Sequence, residues 1–372
     1  MSGPWPTPDE HDRRIDRPDQ SGAGPFRTVV ARAPGRVNII GDHTDYNGGL
    51  ALPVAIDLAT EVQYTENESE RLLLYTTLVA GACDLPLDIP FAPRTICRIE
   101  PSWGRLVAAV AALARPERGG VGRITSTLPV GAGLSSSAAF AVSLAAAFGV
   151  ERTARAMAML CQRAEGAVGS DVGLMDYLVS VAGRAGHALF IDFDSLSIEE
   201  VAIPDDVELM VVHSGVSRLL ERTPYAARRA ECEAAAIELG YPLGQAEAAD
   251  LPGILDSVLR RRARHVVTEC ARVRSLVQAL GQKDLVTAGN LMAESHRSLA
   301  DDFDASTPEV DALVHELAAQ PGVYGARMTG GGFGGCVVAL TVPNALDPDA
   351  WPGRAWRVVP SDGLSLAETS AT

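Results

Sequence analysis

Short apolar runs and longer stretches with apolar residues three and four apart follow one another along the chain. Residues 26–32 have the strand-like pattern; a Pro34-Gly35 turn and a polar loop over 41–49 come next. Helical spacing predicts a helix over 103–113, and a strand is expected over 121–127. A glycine-rich loop over 129–134 then opens an alanine-rich helix over 135–148, which Gly149 can stop. Helices over 152–165 and 172–181 lead to strands over 187–193 and 207–212, the second apolar enough to be buried. The pattern then turns helical over 225–239, 254–280, 284–299 and 308–317, and ends in strands over 324–328, 337–342 and 356–359.

Strands and helices mix in both halves without regular βαβ alternation, which predicts an α+β fold. A chain of 372 residues exceeds one comfortable core, so two lobes are expected. The change of pattern near residue 205 divides them into 26–205 and 206–372. Residues 1–25 are rich in Pro, Gly, Asp and Arg, lack the apolar core of a signal peptide, and read as a disordered tail.

Charge narrows the function. The formal net charge is −15, a field that repels nucleic-acid phosphates and anionic lipid. A small neutral substrate suffers no such repulsion, whereas a nucleotide needs local donors and a metal. No apolar run is long enough to span a bilayer. The six cysteines form no C-x-x-C pair and are evenly spread, which argues against a zinc site or disulfide framework and for a reduced, cytosolic setting. The expected partners are small molecules, with the chain a monomer or a weak homo-oligomer.

The segment from Pro129 to Ala139 carries the strongest chemical argument. Gly131 and Gly133 let the backbone approach a ligand closely, and the helix that follows offers unpaired N–H groups and a positive dipole end. Leu134 is followed by Ser135, Ser136 and Ser137, three hydroxyl donors of which any one can ligate Mg²⁺. Capping alone does not need three serines behind two glycines. The loop lacks the Gly-Lys-Ser/Thr of a Walker A motif, and Ser136 stands where G-x-G-x-x-G would need its third glycine. A second run, Gly330-Gly331-Gly332-Phe333-Gly334-Gly335, does match G-x-G-x-x-G, but a strand-like segment follows it rather than a helix. Five glycines in six residues point instead to close contact with a ligand or another backbone.

Arg36, Asp42, His43, Asp45, Tyr46 and Asn47 crowd one stretch suited to hydrogen-bonding a polyol, although such loops are also often merely solvated. Glu165 and Asp176 stand near helix ends, and Asp176 follows Leu174 and Met175, so partial burial and a basic partner such as Arg36 are expected.

Together these segments resemble the galactokinase branch of the GHMP kinase superfamily, from about residue 30 to 362. The first motif runs Ala33-Pro34-Gly35-Arg36-Val37-Asn38-Ile39-Ile40-Gly41-Asp42-His43-Thr44-Asp45-Tyr46-Asn47-Gly48-Gly49. The second is the Pro129 to Ala139 loop, and the third is Gly325-Ala326-Arg327-Met328-Thr329 with the glycines that follow. The resemblance implies a two-lobed fold, with an N-terminal ribosomal-S5-like lobe, a C-terminal ferredoxin-like α/β lobe and the active site between them. It implies transfer of the ATP γ-phosphoryl group to the C1 hydroxyl of D-galactose, giving galactose 1-phosphate and ADP. By position, Asp176 becomes the catalytic acid group with Arg36 as its partner, and Ser137 and Glu165 would hold Mg²⁺. Asp42, His43, Asp45, Gly173 and Tyr225 would line the sugar pocket. Trp103 would lie by the adenine, and Gly131, Gly133, Leu134, Ser135, Ser136 and Ser137 by the phosphates.

Three residues depart from the family pattern: Asp42 replaces Glu, Tyr177 follows Asp176 in place of Gln, and His213 stands where Asn is usual. These leave N-acetylgalactosamine and L-arabinose open as alternative sugars. A non-catalytic sensor of sugar and ATP is the alternative from another class, and the intact serine loop with Arg36 and Asp176 argues against it.

Overall fold

The computed structural model describes residues 26–129, 131–169, 173–216 and 224–370; the expected tail over 1–25 lies outside them. Its first half contains β1 (Arg27–Asn38), β2 (Leu50–Ala51), β3 (Pro53–Glu66), β4 (Arg71–Thr76), β5 (Ala82–Pro86), α1 (Pro93–Ile96), α2 (Gly104–Ala114) and β6 (Gly120–Ser126). Then come α3 (Ser136–Ala147), α4 (Ala154–Ala167), α5 (Met175–Ala182), β7 (His187–Asp192) and β8 (Ser197–Ala202). The second half contains β9 (Glu208–His213), α6 (Pro224–Leu239), α7 (Ser257–Gly281), α8 (Leu285–Asp301) and α9 (Pro308–Ala318). It closes with β10 (Val323–Thr329), β11 (Cys336–Thr341), β12 (Ala355–Val358) and β13 (Ser365–Ser370).

Three sheets organise these elements, in the orders β13-β1-β3-β6-β4-β5, β10-β11-β9-β12 and β2-β7-β8. All pairings are antiparallel except β4 with β6. The fold is α+β. β8 and β9, on either side of residue 205, join different sheets, but β13 returns to pair with β1. The C-terminal strand therefore belongs with the N-terminal sheet, not with the 206–372 lobe expected for it. No helix among the described residues is long and apolar enough to cross a membrane.

The Pro34-Gly35 turn is corrected: both residues lie inside β1. Register slips there, with Pro34 facing Ala59 and Arg36 facing Ala55, so β3 carries the extra residues. A proline that cannot donate to a ladder fits such an irregularity. Gly35 is required by contact, because a Cβ there would lie 2.4 Å from the Leu134 carbonyl oxygen. That approach lets the Arg36 N–H donate to the same carbonyl at 3.2 Å, fastening β1 to the glycine-serine loop.

Two apolar cores result. One packs α2, α3, α4 and α5 on the six-stranded sheet. The other mixes residues 37–56 with the helices and sheet of the second half, so the loop after β1 is set into the C-terminal core. Polar pairing completes that seating. Arg327 on β10 is fully buried, with Nη1 2.7 Å from Asp42 Oδ2 and Nη2 3.7 Å from Glu269 Oε1. It also donates to the carbonyls of Asn38 and Ile39. Glu269 on α7 accepts from the Gly41 N–H, Ser295 and Arg272. Burial opposes ionisation of Glu269, but the field of His265, Arg272 and Arg327 and the Ser295 hydroxyl hold it at about 2. Burial pushes His265 itself down toward its neutral form.

Removing Arg327 leaves buried Asp42 without its cation and Glu269 with Arg272 alone. Arg327→Leu is expected to lower stability by about 3–5 kcal/mol in urea unfolding. A loss under about 1 kcal/mol would show that these groups are not held as an ion pair.

Candidate active site

The glycine-serine loop has the backbone its sequence predicts. Gly131 and Gly133 have φ of 76° and 79°, and Ser135 also turns left-handed at 62°. Nothing lies within 4 Å of a Cβ built on Gly131, so that edge of the loop is open. α3 then starts at Ser136 without a side-chain cap, because the Ser135 hydroxyl points elsewhere. Its first-turn N–H groups therefore face the loop with a positive dipole end, the arrangement that suits a phosphate. Ser136 is half-buried, Ser137 is exposed, and Leu134 anchors the loop in the core.

Ser135, expected by the phosphates, has its hydroxyl on a carboxylate. Its hydroxyl donates to Asp176 Oδ2 at 2.6 Å, while Arg36 Nη2 holds Asp176 Oδ1 at 2.7 Å. Arg36 is itself 4% exposed and fixed by Nη1 donating to the Gly133 carbonyl at 2.8 Å. The Asp176 carboxyl is thus clamped between two donors at the N-terminus of α5, against the end of the phosphate loop. Sequence reasoning paired Arg36 with Asp176 but assigned Ser135 to the phosphates alone.

Asp45 and Gly173 meet beside this clamp. A Cβ on Gly173 would lie 1.5 Å from Asp45 Oδ2, so only glycine lets the carboxylate lie there. Asp45 keeps slight solvent contact but is surrounded by protein. Burial, followed by the charge of Asp176, raises its carboxyl to about 6. His43 and Tyr225 come together across the halves, with ring centroids 5.4 Å apart. His43 Nδ1 is 2.8 Å from the Tyr46 hydroxyl, and Phe303 lies 4.4 Å from the His43 ring. Phe303 was not foreseen; nothing in its local pattern separates it from an ordinary core residue.

Asp42, expected among the sugar contacts, has protein partners on the second half of the chain. It is 1% exposed, and its carboxylate is engaged by Arg327 and by the Gly330 N–H at 2.9 Å. It therefore stitches the polar loop to the second glycine run. That run leads into β11, as its pattern indicated, and packs tightly on backbone: a Cβ on Gly332 would meet the Ala305 carbonyl at 2.4 Å. A lone arginine inside the apolar run 323–329 was the available signal for Arg327. His213 accepts from the Gly215 N–H at 3.0 Å and shapes its own turn.

Trp103 stands at the N-cap of α2, half-buried, with an indole N–H that finds no acceptor among the described residues. α2 packs against α3, the helix that follows the glycine-serine loop. Glu165 near the end of α4 is 4% exposed, and its Oε2 accepts from the Tyr177 hydroxyl at 2.6 Å. No cluster of three His, Cys, Asp or Glu side chains able to hold a metal occurs among the described residues.

Three family profiles match the chain: the galactokinase galactose-binding signature over 21–65, the GHMP kinase N-terminal domain over 105–184 and the GHMP kinase C-terminal domain over 276–350. The galactokinase of Homo sapiens is 40% identical over 342 residues, covering 88% of this chain and 86% of the human one. That of Mycobacterium tuberculosis strain H37Rv is 40% identical over 331 residues, covering 84% and 89%. The Lactococcus lactis galactokinase structure, solved in complex with galactose, superposes with a TM-score of 0.83 at 26% identity, covering 91% and 95%. Methanococcus jannaschii mevalonate kinase shares the fold, with a TM-score of 0.61 at 18% identity and coverage of 90% and 98%. With identity of this order running through nearly the whole length, and the loop, clamp and polar turn in one place, the chain belongs to the galactokinase family of the GHMP kinases.

Proposed function

We propose that this chain transfers the γ-phosphoryl group of ATP to the C1 hydroxyl of D-galactose, giving galactose 1-phosphate and ADP. The observation that carries this reading is the Asp176 carboxylate, clamped by Arg36 and Ser135 where the phosphate loop meets Asp45 and Gly173. A sugar hydroxyl is a weak nucleophile at neutral pH, and a carboxylate fixed between donors presents an acceptor to it. As the C1 oxygen bonds to the γ-phosphorus, its proton passes to Asp176 and the bond to the β-phosphate oxygen breaks, releasing ADP. Arg36 offsets the charge that gathers there.

Asp45, the Gly173 backbone, His43 and Tyr225 are the proposed sugar contacts, with the aromatic rings offering flat walls and the carboxylate accepting hydroxyl protons. Asp42 contributes at one remove by holding the loop that carries His43 and Asp45. Gly131, Gly133, Leu134 and the α3 N–H groups would receive the phosphates, and Trp103 would donate toward the base.

Magnesium fits as a partner of ATP. The ion favours oxygen ligands and keeps to one or two protein groups plus phosphates, so a three-carboxylate cage is not needed. Glu165 and Ser137 are the proposed ligands: one buried carboxylate and one exposed hydroxyl at the start of α3. Bound there, the ion would neutralise phosphate charge. All six thiols are free and five are buried, which suits the cytoplasmic setting we propose.

Coupled ADP release with Mg-ATP tests the assignment across galactose, N-acetylgalactosamine, L-arabinose and mevalonate. Galactose is expected to be turned over, and turnover of another compound alone would overturn the substrate. Asp176→Asn is expected to cut kcat by about 10²–10⁴ while calorimetry still detects galactose and ATP binding.

Asp45 supplies a pH signature. With its carboxyl raised to about 6, the group is mainly an anion at pH 7 and takes up a proton below 6, losing acceptor capacity. The KM for galactose is therefore expected to rise by about tenfold per pH unit below that point. A KM unchanged between about pH 7 and 5 would remove Asp45 from the sugar contacts.

A further inference from the structure

Tyr177 follows Asp176 in the first turn of α5 and is fully buried. Successive helical residues point about 100° apart, so one turn can serve two directions. Asp176 reaches Arg36 and Ser135, while Tyr177 reaches α4 and donates its hydroxyl to Glu165 Oε2 at 2.6 Å. A phenol hydroxyl carries one proton to give, and here Glu165 Oε2 is the acceptor. A neutral donor fixes a carboxylate without cancelling its charge, and the charge remains available to a cation.

We propose that Tyr177 is a positioning residue that orients Glu165 as the magnesium ligand and ties it to the helix turn carrying Asp176. The proposal rests on the reading of Glu165 as that ligand. It gives the replacement of Gln by Tyr at this position a physical role. A buried carboxylate that loses a fixed donor gains freedom to rotate, and that weakens its hold on a cation. With Oε2 fixed by the phenol, the direction of the whole carboxylate is set. Groups that orient metal ligands in this way are commonly worth 10–100-fold in metal affinity or activity.

Calorimetry with the non-hydrolysable analogue AMP-PNP tests this, with each protein titrated in Mg²⁺ and in EDTA. The ratio of the two affinities isolates the contribution of the metal. Tyr177→Phe keeps the ring and is expected to lower that ratio by about tenfold while leaving the EDTA affinity within about twofold. The Mg²⁺ concentration for half-maximal turnover should rise in parallel. Tyr177→Gln keeps a donor and is expected to recover part of the loss; it also carries the test if the phenylalanine variant does not fold. Glu165→Gln serves as the reference and should remove the advantage of Mg²⁺. If Glu165→Gln does so while Tyr177→Phe lowers only the melting temperature, Tyr177 is a packing residue and the proposal is wrong. If Glu165→Gln also leaves the ratio unchanged, the metal assignment fails and the proposal falls with it.

Discussion

A guanidinium taken wholly out of water must find its acceptors inside the protein. Arg327 finds them on three elements at once: Asp42 after β1, Glu269 on α7, and the carbonyls at the end of β1. Breaking the pair with Asp42 leaves that carboxylate charged in a medium that cannot solvate it. That constraint sets the loop over 41–49 into the second half of the molecule, although by sequence it belongs to the first. Asp42 then passes the constraint to the second glycine run through the Gly330 N–H. The residues facing the proposed sugar site, His43 and Asp45, stand one and three positions beyond this anchor.

The chemistry is arranged on the same principle at shorter range. Asp176 is a partly exposed carboxylate whose two oxygens are each claimed by a donor, one on β1 and one at the start of α3. Arg36 is fixed in turn by the Gly133 carbonyl. The glycine-serine loop, the Asp176 carboxylate and the first strand are therefore one hydrogen-bonded unit, and none of them can shift alone. Phosphoryl transfer gains chiefly from positioning, so this rigidity is suited to the reaction. Asp45, out of water and then close to Asp176, holds its proton more tightly than an ordinary aspartate.

Most helices were legible because each has one apolar face and a clear stop. α3, for example, runs from the serines to Ala147 as its composition indicates. β1 was read only in part because residues 33–38 are buried on both sides, which removes the alternation that marks a strand. β3 alternates only over Glu61, Val62, Gln63 and Tyr64, and was not picked out. The return of β13 to the first sheet has no local signal at all, since pairing partners more than three hundred residues apart leave no periodicity.

The sequence by itself determined the α+β class, the two glycine loops, the family and the pairing of Arg36 with Asp176, because each depends on residue type and short spacing. Only the tertiary structure decided what those residues face. Ser135 was read as a phosphate donor, and its hydroxyl meets Asp176; Asp42 was read as a sugar contact, and its carboxylate meets Arg327. Tyr177, noted only as a departure, lies against Glu165. In each case the side chain's partner is brought in from a distant part of the chain. Which of several available donors or acceptors a polar group meets is set by packing, and packing is a property of the whole fold.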